Sequence, residues 1–135
     1  MSSYLTFYIV PKEENSKPIS LISYSRNSEV YQYFNDVLHV AYIGIEETQY
    51  TELNVSKVDE VISELKNDID KAQKRVSEYE KHASGNAELI EDIISQKEWI
   101  EDLEYALHKV EFIRDIVYES SCSWNSYNKV LCNID

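Results

Sequence analysis

Six residues in the second half of the chain have the types and spacing to do chemistry: Glu101, Glu104, His108, Glu111, Asp115 and Glu119 follow one another at steps of three or four. On a helix, those steps gather side chains on one strip. Carboxylates around one imidazole can ligate a divalent cation or serve general acid–base catalysis, and Glu104, His108 and Glu111 have the i, i+4, i+7 spacing that would group three ligands. A facing helix offers no second Glu-x-x-His set of the kind a two-metal bundle uses. Lys97, Lys109 and Arg114 lie nearby and are expected to neutralise strip members at helical spacing. The strip is therefore read as a solvated surface, with no metal, cofactor or catalytic residue assigned to it. A metal-dependent enzyme built on Glu104, His108 and Glu111 is kept as an alternative.

The same strip has an electrostatic use. From Asn86 to Glu119 the chain carries ten acidic and three basic side chains, a local charge of −7. A basic protein surface would be drawn to it over a distance. Rows of carboxylates also imitate a phosphate backbone, and small size, acidity and the lack of a catalytic motif suit a phage-type inhibitor or accessory protein.

Other polar groups gather in the segment 120–128, SSCSWNSYN. Together with Tyr24 and Arg26, the residues Trp124, Asn125 and Tyr127 could line a small-ligand pocket. Serine or cysteine nucleophilic catalysis at Ser121 or Cys122 would need a base in reach, and no spacing ties His39, His82 or His108 to either. The glycines, Gly44 and Gly85, are only two and lie far apart, which excludes phosphate-cradling glycine loops, dinucleotide fingerprints and the nucleophile elbow.

The groups above sit on a chain of 135 residues and net charge −12, with 43% apolar residues and sixteen aromatics. Such a chain is expected to fold as one domain with a real core. The acidic balance disfavours nucleic acid and anionic membrane. Tyrosines crowd the first fifty residues, but Arg26 is the sole arginine before residue 75, so the basic groove that single-strand binding needs is missing. Residues 1–10 read neither as a signal peptide nor as a membrane span, which places the protein in the cytoplasm, the host's if it is phage-encoded. Cys122 and Cys132 are read as reduced packing residues.

Positioning falls to a few elements. YLTFYIV at 4–10 and ISLISYS at 19–25 are rich in β-branched and aromatic residues and flank a polar turn, so they predict a β-hairpin. Asn27 or Ser28 can cap a short helix reaching about Val40, with Tyr31, Phe34, Val37 and Leu38 on one face. Residues 42–47 fit either a third short strand or an irregular connection. Val55, Val58, Ile62, Leu65, Ile69, Ala72, Val76, Tyr79 and Ala83 then alternate at threes and fours, which is a coiled-coil seam. Asn54 or Ser56 caps its start, Gly85 suits the turn, and Asn86 caps a second helix over 87–119. That helix carries a matching stripe through Leu89, Ile93, Gln96, Ile100, Leu103, Leu107 and Val110. A second apolar line, Tyr105, Phe112 and Ile116, predicts a second buried side against the sheet. KVLCNI at 129–134 reads as a last strand of the same sheet.

The expected architecture is α+β: a small antiparallel sheet, from the N-terminal hairpin plus a C-terminal strand, packed on a long antiparallel two-helix hairpin. Residues 1–53 hold the β-hairpin and short helix, 54–119 the helical hairpin, and 120–135 a loop and the final strand. Ile90 and Ile94 face away from the seam, either tolerated at the surface or covered by another protein. The leading function is a non-catalytic interaction or assembly module acting through the hairpin, its partner a basic protein surface or a second copy, most simply in a homodimer. A ligand-sequestering protein with a pocket between sheet and helices is the alternative.

Overall fold

The computed structural model describes residues 3–38, 50–122 and 124–134. Among these residues, four strands and three helices follow in the order β1 (Tyr4–Pro11), β2 (Ile19–Ser25), α1 (Glu29–Leu38), β3 (Thr51–Glu52), α2 (Val55–Glu80), α3 (Ala87–Glu119) and β4 (Tyr127–Ile134). The α+β architecture read from the sequence is the one observed: an antiparallel sheet packed against a long helical hairpin. The segment 42–47, and with it His39, lies outside the described residues.

Alternation along β1 decides which way the sheet faces. Leu5 and Phe7 are fully buried, while Thr6 between them points outward and shares a 2.9 Å hydroxyl hydrogen bond with Ser23. Strand order is β2-β1-β4-β3, all pairings antiparallel. Phe7 stands between Ile22 and Cys132, and Leu5 between Tyr24 and Ile134. Pairing with β4 begins at Tyr127, two residues before the expected start. Beyond the expected three strands, Thr51 and Glu52 add a short fourth on the far side of β4.

The helix ends follow local chemistry. Asn54 accepts a hydrogen bond from the Lys57 amide at 2.8 Å, and Asn86 from the Leu89 amide at 3.1 Å, each satisfying an orphan donor of a first turn. Gly85 adopts φ 73°, the left-handed conformation that most side chains avoid. Ser28 closes the start of α1 through the Val30 amide.

All eight seam positions on α2 become buried or half-buried as expected, but α2 ends at Glu80, so Ala83 falls in the turn. Val61 lies off the three-and-four seam and is nevertheless fully buried. It marks a second packed flank on α2, because α1 lies across both long helices and carries Val30 and Phe34 into the core. Phe34 meets Phe7 edge-on at 5.1 Å, and Phe7 meets Tyr24 at 6.1 Å. The common core runs from the sheet up to Ile69 on α2 and Leu103 on α3. Past that level the hairpin continues as an arm whose buried residues are Ala72, Val76 and Ile93.

The second apolar line on α3 corrects an expectation. Tyr105 is 66% exposed and Phe112 58%, with Ile116 half-buried. One broad face, running through Leu103, Ala106, Val110, Ile113 and Val117, already meets α2, α1 and the sheet. No second buried side is needed, and the aromatic line is left in solvent.

Candidate functional site

Every member of the acidic strip is exposed: Glu101, Glu104, His108, Glu111, Asp115 and Glu119. Among the described residues, no three acidic, imidazole or thiol groups converge as a metal-ligand cluster would require. The helix also spreads the strip along its length, at about 1.5 Å per residue.

The expected neutralisation within α3 does not occur. Lys97 crosses to Glu80 on α2 at 3.3 Å, and Arg114 crosses to Asp59 on α2. That contact, with the charge of Asp59, raises the Arg114 pKa further. Lys109 places its ammonium 4.3 Å from the ring centre of Tyr105 and 5.6 Å from that of Tyr24, where the ring faces attract a cation. All three cations of α3 are thus turned towards α2 or the aromatics. Among the described residues no ion pair joins a strip side chain to a cation. Helical spacing had suggested pairs with the strip, but Lys97 and Arg114 reach carboxylates on α2, and Lys109 turns to the Tyr105 ring one turn back on α3 and to Tyr24 beyond it.

Ile90 and Ile94 are 46% and 53% exposed, facing away from the seam as read. They lie on the arm, where the seam itself buries little.

The five residues of the expected ligand pocket do not meet. Tyr24 pairs with Leu5 at one end of β1, while Tyr127 pairs with Pro11 at the other. Six residues of strand separate them by about 20 Å. Tyr24 is buried, and burial, reinforced by Tyr105, raises its pKa. Arg26 and Trp124 are exposed. The loop spends its polar groups closing the end of α3: Ser121 Oγ donates to the Tyr118 carbonyl at 2.7 Å, Asn125 Nδ2 to the Glu119 carbonyl at 3.3 Å, and the Tyr127 hydroxyl to the Ile116 carbonyl at 2.9 Å. Cys122 points its thiol at the Tyr118 carbonyl. His82 sits at the arm tip against Glu78, so neither described histidine contacts Cys122 or Ser121. Cys132 is buried beneath the sheet, where burial pushes its thiol up to about 12.

A groove that sequence reasoning missed opens between the three helices. It measures about 650 Å³ and is lined by Gln32, Tyr33, Asp36 and Val37 of α1, by Glu60, Ser63, Glu64 and Asp68 of α2, and by Trp99 of α3. The Tyr33 hydroxyl donates to Asp68, and burial, that bond and the surrounding carboxylates raise its pKa. The Glu60, Glu64, Asp68 spacing was visible as one helix flank. Its meeting with α1 and Trp99 was not, because the three contributing segments are far apart in sequence.

Compared with family models, with curated proteins and with solved structures, the chain matches none. No helix among the described residues is long and apolar enough to cross a membrane.

Proposed function

We propose that the protein is a non-catalytic interaction module whose α3 strip holds the basic surface of a protein partner. The observation that carries this reading is the arrangement of cations on α3. Lys97, Lys109 and Arg114 all engage groups off the strip, so among the described residues no ion pair occupies its carboxylates. A row of unneutralised carboxylates on a rigid helix attracts a basic surface and sets its register.

The test is a salt-graded pull-down comparing the wild type with the triple variant Glu104→Lys, Glu111→Lys, Asp115→Lys. All three positions are exposed, so the fold is expected to persist. A Lys- or Arg-rich protein retained by the wild type, released by salt and absent with the variant is the expected result. An identical set of captured proteins for both would overturn the reading.

The groove favours one second reading. Its aromatic walls, Tyr33 and Trp99, and its carboxylates, with no basic side chain in the lining, would suit a small organic cation. Stabilisation by a polyamine in a thermal-shift series, lost on Trp99→Ala, is the outcome this reading expects.

A further inference from the structure

Exposed apolar side chains and acidic side chains on α3 form one surface when they are placed by angle. Taking roughly 100° per residue, Ile90, Ile94, Tyr105 and Phe112 fall within about 60° of one another, and Glu101, His108, Asp115 and Glu119 fall alongside them. These eight occur in the order Ile90, Ile94, Glu101, Tyr105, His108, Phe112, Asp115, Glu119, at steps of four, seven, four, three, four, three and four. That is a heptad rhythm on the side of α3 opposite its packed seam. All eight are exposed. The face runs about 44 Å, from the arm to the foot of the helix.

We infer that this outer face of α3 seats an amphipathic basic helix of a partner protein, its apolar side chains against Ile94, Tyr105 and Phe112 and its Lys or Arg side chains over Glu101, Asp115 and Glu119. The inference rests on the proposed recognition of a basic partner and gives that partner a shape. Groups repeating at alternating threes and fours meet the rows of another helix, whereas a strand presents side chains at every second residue. Charge complementarity selects the occupant. A second copy of this chain would bring the same acidic helix, of local charge −7, against itself. Set antiparallel with Tyr105 opposite Phe112 of the copy, Glu119 comes level with the copy's Glu98 at the edge of the face, and the two acidic strips run side by side. Ile90 and Ile94 would then lie beyond the copy's α3 altogether. Set parallel, each carboxylate meets its own counterpart. A basic helix neutralises the same groups and covers the full length.

The experiment uses the full chain and a fluorescent synthetic peptide of about four heptads, with leucine at the seam positions and Lys and Arg beside them. Its control is a peptide of identical composition whose order destroys the pattern. Anisotropy titrations at low and moderate salt are expected to show the patterned peptide binding at least about tenfold tighter than the control. The double variant Tyr105→Ser, Phe112→Ser is expected to remove that advantage, leaving circular dichroism unchanged and melting temperature little changed, because both rings are exposed and Tyr105 gives up only its surface contact with Lys109. Equal binding of the two peptides would overturn the helical docking while leaving the acidic strip as a basic-surface binder. No binding of either would overturn both readings. Sedimentation showing a dimer that the double variant dissociates would instead assign the face to a second copy and overturn the inference.

Discussion

Tyr33 reports how one side chain can carry a pH dependence for the whole molecule. Its hydroxyl donates to Asp68 at the edge of the groove, and burial, the hydrogen bond and the neighbouring negative charges all favour its neutral form. Tyr24 and Tyr127 are raised chiefly by burial, as is the Cys132 thiol. A raised pKa in the folded state means that the contribution to stability is fully present below the unfolded values, 10.0 for tyrosine and 9.0 for cysteine, and is lost as pH climbs through the folded ones. Stability set by these groups should be level up to about pH 9 and fall from there towards pH 12 and above. Tyr33→Phe should cost roughly 0.5–1.5 kcal/mol at neutral pH, for the lost hydrogen bond, and flatten the alkaline fall. Denaturant midpoints at neutral pH and near about pH 11 check this; an unchanged alkaline slope would remove Tyr33 from the account. Local signals of this size were legible in the sequence at the caps: Asn54, Asn86 and Gly85 each act through groups within a few residues. The destinations of Lys97 and Arg114 were not, because Glu80 and Asp59 lie on another helix.

The helical hairpin divides in energetic terms at the level of Ile69 and Leu103. Below it, α2 and α3 share a core with α1 and the sheet. Above it, Ala72, Val76 and Ile93 supply the buried contacts, supplemented by the Arg75–Gln96 hydrogen bond at 3.2 Å and the Lys97–Glu80 ion pair, both at the surface. Exposed pairs of that kind add little stability. Amide hydrogen exchange should therefore be slow from Leu103 to Val117 and quicken towards the turn at Gly85. Val76→Ala, at about 1.5 kcal/mol for the lost methyl groups, should speed exchange in the arm while leaving the global melting temperature nearly unmoved. Equal loss of protection along both helices would show instead that the hairpin opens as one unit. The seam itself was readable because its period is regular over several turns. The exposure of Tyr105 and Phe112 was not, since a periodic apolar line predicts burial only when a neighbour exists to cover it. Nor was β3, because two residues carry no periodicity.

For the whole molecule, charge opposes compaction. The chain carries −12 overall, and the ion pairs among the described residues all involve partly exposed side chains. Screening should relieve more repulsion than it removes attraction, so moderate sodium chloride is expected to raise the melting temperature. A fall with added salt would mean that the surface pairs dominate. The class of fold was legible from the alternation of YLTFYIV and the heptads after Asn54. The candidate site was legible only in part: the strip was identified, whereas the groove depends on three segments brought together by the fold, and the expected pocket failed because its members belong to opposite ends of the sheet.

The sheet also imposes an order in time. Its central pairing joins β1 to β4, with Leu5 beside Ile134, and among the described residues β3 pairs with β4 alone. A ribosome that has made both long helices has therefore still not supplied the strand that β1 and β3 need. During synthesis Leu5 and Phe7 must wait half-covered for residues made almost a whole chain later. Pairings of such sequence separation form slowly. The acidic helices, complete before the sheet closes, keep that waiting intermediate charged and apart from its copies.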